Sequence, residues 1–183
     1  MAGPDSKEAA RDAVESFIEV YTQLMDEKGF KGYDRTLMKD IRLIDADPID
    51  GVTWELTVDE YWVNMNGVLH GGAYGVIFDM CTAMAMNPIS RVGYWDFLAG
   101  VTRTLNISYL KAVPLGTTIR VHTNVIQHGK TTSLIRGVME SPDGKITYAT
   151  AEHHKIAVPS LPEYSKRLAE HREERARRKG AKL

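Results

Sequence analysis

The sequence predicts an α+β fold, a long antiparallel sheet carrying one apolar helix, on three observations. Residues 71–86 are apolar on nearly every side, the pattern of a helix buried all round. Four alternating segments follow one another in the second half with tight turns between them, as in an antiparallel sheet. More polar helical segments stand at both ends. Laying one apolar helix on a sheet is among the few layer arrangements that bury both elements.

The elements follow in order. In residues 5–28, Ala10, Ala13, Val14, Phe17, Ile18, Tyr21, Leu24 and Met25 recur at three-four spacing, which predicts an amphipathic helix. Asp5 or Ser6 suits its start and Gly29 its end. Between 39 and 59, "IRLIDAD" and "VTWELTVDE" alternate around a "PIDG" turn, a hairpin signal. Residues 60–69 read as a loop with "NMNG" as its turn. The buried helix stops at Asn87–Pro88, because proline disfavours helix at the residue before it. Residues 100–113, 117–128, 131–141 and 145–158 are the four strands, expected to run as a meander. Residues 161–179 form a polar helix. The segment 163–183 holds eight Lys/Arg against four Glu, a local +4, so the expectation is a solvated helix that frays. The whole chain, 1–183, is expected to be one domain with its core at about 38–157.

Composition narrows the function. With 43% hydrophobic and 26% charged residues and a net charge of −1, the chain is a globular protein and not a polycation built for nucleic acid. Cys81 is the single cysteine, so no intrachain disulfide forms. No apolar run reaches the ~20 residues of a membrane helix, and the N-terminus has neither a signal-peptide core nor a transit-peptide composition. The expected compartment is the cytoplasm, with mitochondrial delivery open. His153 and His154 are strand neighbours that point to opposite faces, so they do not share a metal, and no metal or cofactor is called for. "HGGAYG" lacks the Gly-Lys-Ser/Thr ending of a phosphate loop, and no Gly-x-Ser-x-Gly elbow is present.

Asp79 is the anomaly. It lies between Phe78 and Met80 in the apolar helix, where an unpartnered carboxylate is costly. It faces either a wet edge or a cleft. At the other end, His70-Gly71-Gly72 precedes the first helical turn. The first N–H groups of a helix have no internal partners and sit at the positive end of its dipole, a place for a polarised carbonyl or oxyanion. Asp79 lies eight residues beyond Gly71, about 12 Å along the axis. If both act on one carbonyl, they belong to different subunits of a symmetric dimer.

"NMNGVLHGGAYGVIFDMCTAMA" resembles the signature of hotdog-fold acyl-CoA thioesterases, the group of the phenylacetyl-CoA thioesterases and the small mitochondrial and cytosolic thioesterase superfamily members of animals. "GVTRTLNISYLKAVPLG", "HGKTTSLIRGVM" and "TYATAEHHK" follow in the matching order. The resemblance covers roughly 38–157. It implies a hotdog fold, a long antiparallel sheet wrapped around one central helix, assembled as a homodimer or a dimer of dimers. It implies hydrolysis of acyl-CoA, with an acyl-carrier-protein thioester as the other carrier. In that pattern Asp79 is the base or nucleophile for water, the Gly71 N–H polarises the thioester carbonyl, His70 lies beside it, and Asn64 helps to hold the carbonyl or the water. Thr102 stands where related enzymes carry a hydroxyl, usually Ser, that orients the water; here it brings an extra methyl.

The resemblance places Gly72 and the "HGKTT" segment (His128, Gly129, Lys130, Thr131) near the substrate. Lys130 and Lys155 are candidate phosphate partners, each otherwise a solvated charge. Of His153 and His154, one is expected to pack and one to contact phosphate, and His153 is placed in the substrate set. Tyr94, Trp95 and Phe97 either shape an acyl tunnel or pack an edge. Cys81, inside the apolar helix without a basic helper, reads as core. Two rival functions stand beside hydrolysis: a hotdog dehydratase or hydratase, and a non-catalytic acyl-CoA-binding protein.

Overall fold

The computed structural model describes residues 6–98 and 100–180. In chain order it contains α1 (Lys7–Glu27), α2 (Tyr33–Asp40), β1 (Arg42–Asp47), β2 (Gly51–Thr57), α3 (Gly71–Met84), a 3-10 turn (Asn87–Ile89), β3 (Val101–Tyr109), β4 (Thr118–His128), β5 (Thr132–Glu140), β6 (Thr147–Ile156) and α4 (Pro162–Gly180). The fold is α+β: six antiparallel strands in the order β1-β2-β4-β5-β6-β3, with α3 on one face.

Ser6 caps α1 by accepting the Ala9 N–H at 3.1 Å; Asp5, the alternative cap, lies outside the described residues. Ala10, Val14, Phe17, Val20 and Leu24 form the buried stripe of α1. Gly29, with φ +58°, ends it in the left-handed conformation that glycine adopts without strain. In α3, Ile77, Phe78, Cys81 and Met84 are fully buried. They press so closely on the sheet that a Cβ at Gly137 of β5 would lie 2.7 Å from the Phe78 ring. The buried Asn87 side chain donates to Met84 O at 3.0 Å, satisfying a carbonyl at the helix end.

Three expectations change. The four later strands are not one meander: only β4-β5-β6 is, while β3 pairs with β6 and β2 takes the free side of β4. The segment after β3 does not turn back on itself. It crosses beneath the loop before α3, with Leu69 N–H bonded to Val113 O at 2.8 Å and Leu115 N–H to Gly67 O at 2.9 Å.

The second change is α2, which sequence periodicity does not announce. It buries only Leu37 and begins at Gly32 without a side-chain cap.

The third is α4, which is not a frayed, solvated helix. It lies antiparallel on α1 through an ordered ladder of charges. Arg167 meets Glu27 and His171 meets Glu19; Arg175 bonds Asp12, Glu15 and Glu19, and Lys179 bonds Glu8 and Asp12. Its excess cations are matched by the acidic outer face of α1, which a count of the tail alone cannot register.

Candidate active site

Asp79 sits at the wet edge of α3, its side chain 38% exposed. The Thr102 hydroxyl donates to Asp79 Oδ1 at 2.5 Å. A bulge puts Thr102 there: between Thr102 and Thr104 the β3–β6 register slips by one residue, and such bulges re-aim side chains beside functional sites. On the other side, Thr102 Oγ1 lies 2.9 Å from His153 Nε2, which is itself 3.5 Å from Asp79 Oδ1. His153 Nδ1 lies 2.6 Å from the Thr82 hydroxyl, which donates to Phe78 O one helical turn back.

These groups form one chain of four links: Phe78 O, Thr82, His153, Thr102, Asp79. Burial, helped by the nearby Lys155 ammonium and opposed by the Asp79 charge, lowers the His153 pKa to about 4. The imidazole is therefore neutral near neutral pH. Two hydroxyl protons and one ring proton then serve four links, so the resting chain is one proton short.

Strand alternation explains the rest of this end. His153 and Lys155 point inward and His154 outward. Lys155 is 3% exposed, so it is not a solvated charge. Burial holds its pKa below the ordinary lysine value, against the pull of Asp79. Cys81 is fully buried and its thiol pKa is pushed well up by burial, the environment of an inert thiol.

The opposite end of α3 carries the second group. His70 is the N-cap, and its Nδ1 accepts the Gly72 N–H at 2.9 Å. Nε2 then bears the proton of the neutral ring. The exposed Gly71 has no acceptor for its N–H among the described residues. Tyr109 fastens this turn to β3 by donating to Gly71 O at 3.1 Å. Asn64 Oδ1 accepts the Asn66 N–H at 2.9 Å, which leaves the Asn64 amide N–H₂ free to donate.

A third group stands elsewhere. Tyr94 OH lies 2.6 Å from His128 Nδ1, and Trp95 Nε1 donates to Gly129 O at 2.7 Å. These aromatics fasten the β4–β5 hairpin tip. Thr131 O accepts the Ala157 N–H at 2.9 Å. The exposed Lys130 lines a cavity of about 700 Å³ together with Tyr94, Trp95 and Lys166. Trp95 and Phe97 have φ of 50° and 39°, a left-handed strain for side chains of this size. Phe97 is held by Phe17, Tyr21 and Tyr164, with ring centroids 5.2–5.9 Å away.

One chain thus joins Asp79, Thr102 and His153, with Lys155 beside them. It keeps Gly71, with His70 just before it, about 12 Å away along the helix. Sequence reasoning missed Thr82 and the inward setting of Lys155. The available signals were the position of Thr82 three residues after Asp79, on the same helix face, and the alternation through His153. No group of three or more His, Cys, Asp or Glu among the described residues is placed to hold a metal.

Comparison with known proteins agrees with this fold. Residues 66–148 match the sequence model of the thioesterase superfamily. Mouse acyl-coenzyme A thioesterase 13 is 31% identical over 100 residues, 55% of this chain and 66% of that one. The human protein of the same name is 33% identical over 101 residues, 55% of this chain and 67% of that one. The matched region therefore spans about two thirds of these relatives. The crystal structure of zebrafish thioesterase superfamily member 2 superposes with a TM-score of 0.61 at 25% identity, covering 74% of this chain and 94% of that one.

Proposed function

The chain belongs to the hotdog-fold thioesterase superfamily, a family of thioester hydrolases, and from that premise we propose that it hydrolyses acyl-CoA to a carboxylic acid and CoA at a site shared between two subunits. The observation that carries this reading is the half-exposed Asp79 carboxylate held by Thr102 and backed by the neutral His153. Water bound at Asp79 attacks the thioester carbonyl carbon while Asp79 takes its proton. The carbonyl oxygen, becoming an oxyanion, is met by the Gly71 N–H of the second subunit, with Asn64 and His70 beside it. The C–S bond then breaks, its electron pair leaves on sulfur, and the thiolate recovers the proton from Asp79.

The proton count supports Asp79 as the base. Once Asp79 is protonated it donates to Thr102, Thr102 to His153 Nε2, His153 Nδ1–H to Thr82, and Thr82 to Phe78 O. All four links are then filled.

The separation of Gly71 and Asp79, together with β3, supports the second subunit. That nine-residue strand is a sheet edge and exposed along most of its length. Unpaired edges of this kind are covered in native proteins, and pairing with its own copy is the isologous solution. Lys130 and Lys155, with His128, Gly129, Thr131 and Gly72, are the proposed contacts for the rest of the CoA thioester. The residues from α1 to α4 are read as one unit around this site, in the cytoplasm. No helix among the described residues is long and apolar enough to cross a membrane.

The test is thiol release from a panel of acyl-CoA esters by the wild type and Asp79→Asn. Loss of general base catalysis should lower kcat roughly 10³-fold while the variant remains a dimer. Gly71→Pro removes the N–H at a position where proline is tolerated. Mixing it with Asp79→Asn should restore activity, because one hybrid site in each mixed dimer is intact. No recovery would place both groups in one subunit. Hydration of a crotonyl thioester without thiol release would favour the dehydratase instead.

A further inference from the structure

A groove of about 500 Å³ runs beside the start of α3. Its walls are Tyr33 from α2, Tyr61 and Trp62 from the loop before α3, and Ala73 and Val76 from α3 itself. His70 and Gly72, the two residues that flank Gly71, line it as well. The groove is therefore continuous with the place where the thioester carbonyl is held. Tyr33 and Tyr61 are 66% and 53% exposed, and exposed aromatic side chains gathered along one groove mark a ligand surface.

The lining favours hydrocarbon. The Trp62 indole N–H is already bonded to Asp40 Oδ2 at 2.9 Å. Apart from His70 at the end beside Gly71, the walls otherwise offer aromatic and aliphatic carbon, with two phenol hydroxyls. The pantetheine arm of CoA carries two amides, which lose hydrogen bonds against such walls; an alkyl chain loses none. Lys130, one of the proposed phosphate contacts, lines a different cavity.

We propose that this groove holds the acyl chain, with Tyr33, Tyr61 and Val76 as its specificity-determining residues. The inference rests on the acyl-CoA hydrolase reading above and adds its substrate class. The groove has about three times the ~150 Å³ that accommodates one benzene ring. Its occupant is a medium-length or longer alkyl chain, or a ring on a tail, rather than acetyl. Each methylene it buries contributes roughly fourfold in affinity.

The experiment measures kcat/KM for acetyl-, hexanoyl- and decanoyl-CoA with the wild type, the Tyr33→Ala/Tyr61→Ala double variant and Ala73→Leu. The wild type should climb steeply from acetyl to decanoyl. The double variant, which removes two exposed walls, should lose about tenfold more on decanoyl than on acetyl. Ala73→Leu fills the groove instead of opening it and should flatten the same climb. An equal loss on all three esters would assign the groove to the pantetheine arm and overturn the proposal, as would no loss at all. If the wild type cleaves none of them, the hydrolase reading has failed and the groove is tested by decanoate. Quenching of tryptophan fluorescence that weakens about tenfold in the double variant supports an alkyl site; no quenching in the wild type overturns it.

Discussion

The two helices α3 and α4 are built on opposite principles. The first is apolar on nearly every side and carries one carboxylate; the second is charged on nearly every side and buries one leucine, Leu168. Burial makes α3 rigid and specific, because close packing tolerates little change in volume. Ion pairs dock α4 with little burial, and exposed pairs contribute weakly. A catalytic carboxylate needs the first kind of support and a covering helix can live with the second. The substitutions that matter most should therefore lie under α3 and those that matter least on α4.

The Asp79→Asn loss is the largest effect on activity. At neutral pH the largest effect on stability should come from Gly137→Ala. A methyl there meets the Phe78 ring at 2.7 Å, and overpacking of this kind costs about 1–3 kcal/mol. Urea unfolding measures it, and activity should fall as well, since Asp79 is the next residue of the same helix. An unchanged midpoint would mean that α3 yields more readily than its packing implies.

The second effect is a pH dependence centred on His153. Its folded pKa of about 4 lies below the ~6.5 of an unfolded histidine. Below pH 6.5 the unfolded chain binds the proton and the folded chain does not, so stability present above pH 6.5 drains away as pH falls towards 4. The whole span is worth roughly 3 kcal/mol. Carboxylates in the α1–α4 ladder titrate in the same range, so the comparison is with His153→Gln. The wild type should lose roughly 3 kcal/mol more than the variant between pH 7 and pH 4. Parallel curves would show that His153 is already free to ionise in the folded protein.

The contrast between the helices also explains what the sequence discloses. Periodicity reports the side chain's relation to its own element, so α1, α3, the β1–β2 hairpin and β4 to β6 are legible. It says nothing of remote partners. The pairing of β3 with β6 is invisible because the crossing segment after Tyr109 carries the same Pro-Leu-Gly signal as a tight turn. Lys155 looks like any strand lysine, because alternation ties it to the face of His153 without saying which face turns inward. Asp79 was legible because a carboxylate in an apolar helix breaks the local pattern, and Thr82 was not, because a threonine there breaks nothing.

The smallest effect is expected on α4. Arg175 bonds Asp12, Glu15 and Glu19, and its own side chain is 23% exposed. Solvent reaches every member of this cluster, so Arg175→Met should weaken the docking of α4 by about 1 kcal/mol. In the wild type, 1 M salt should reproduce much of that loss, because screening then acts within ~3 Å. The readout is amide hydrogen exchange along residues 162–180. Protection there should fall severalfold, while exchange in α3 and β6 stays as it was. A matching loss of protection in α3 would make α4 part of the same cooperative unit as the central helix, and the difference drawn between the two would fail.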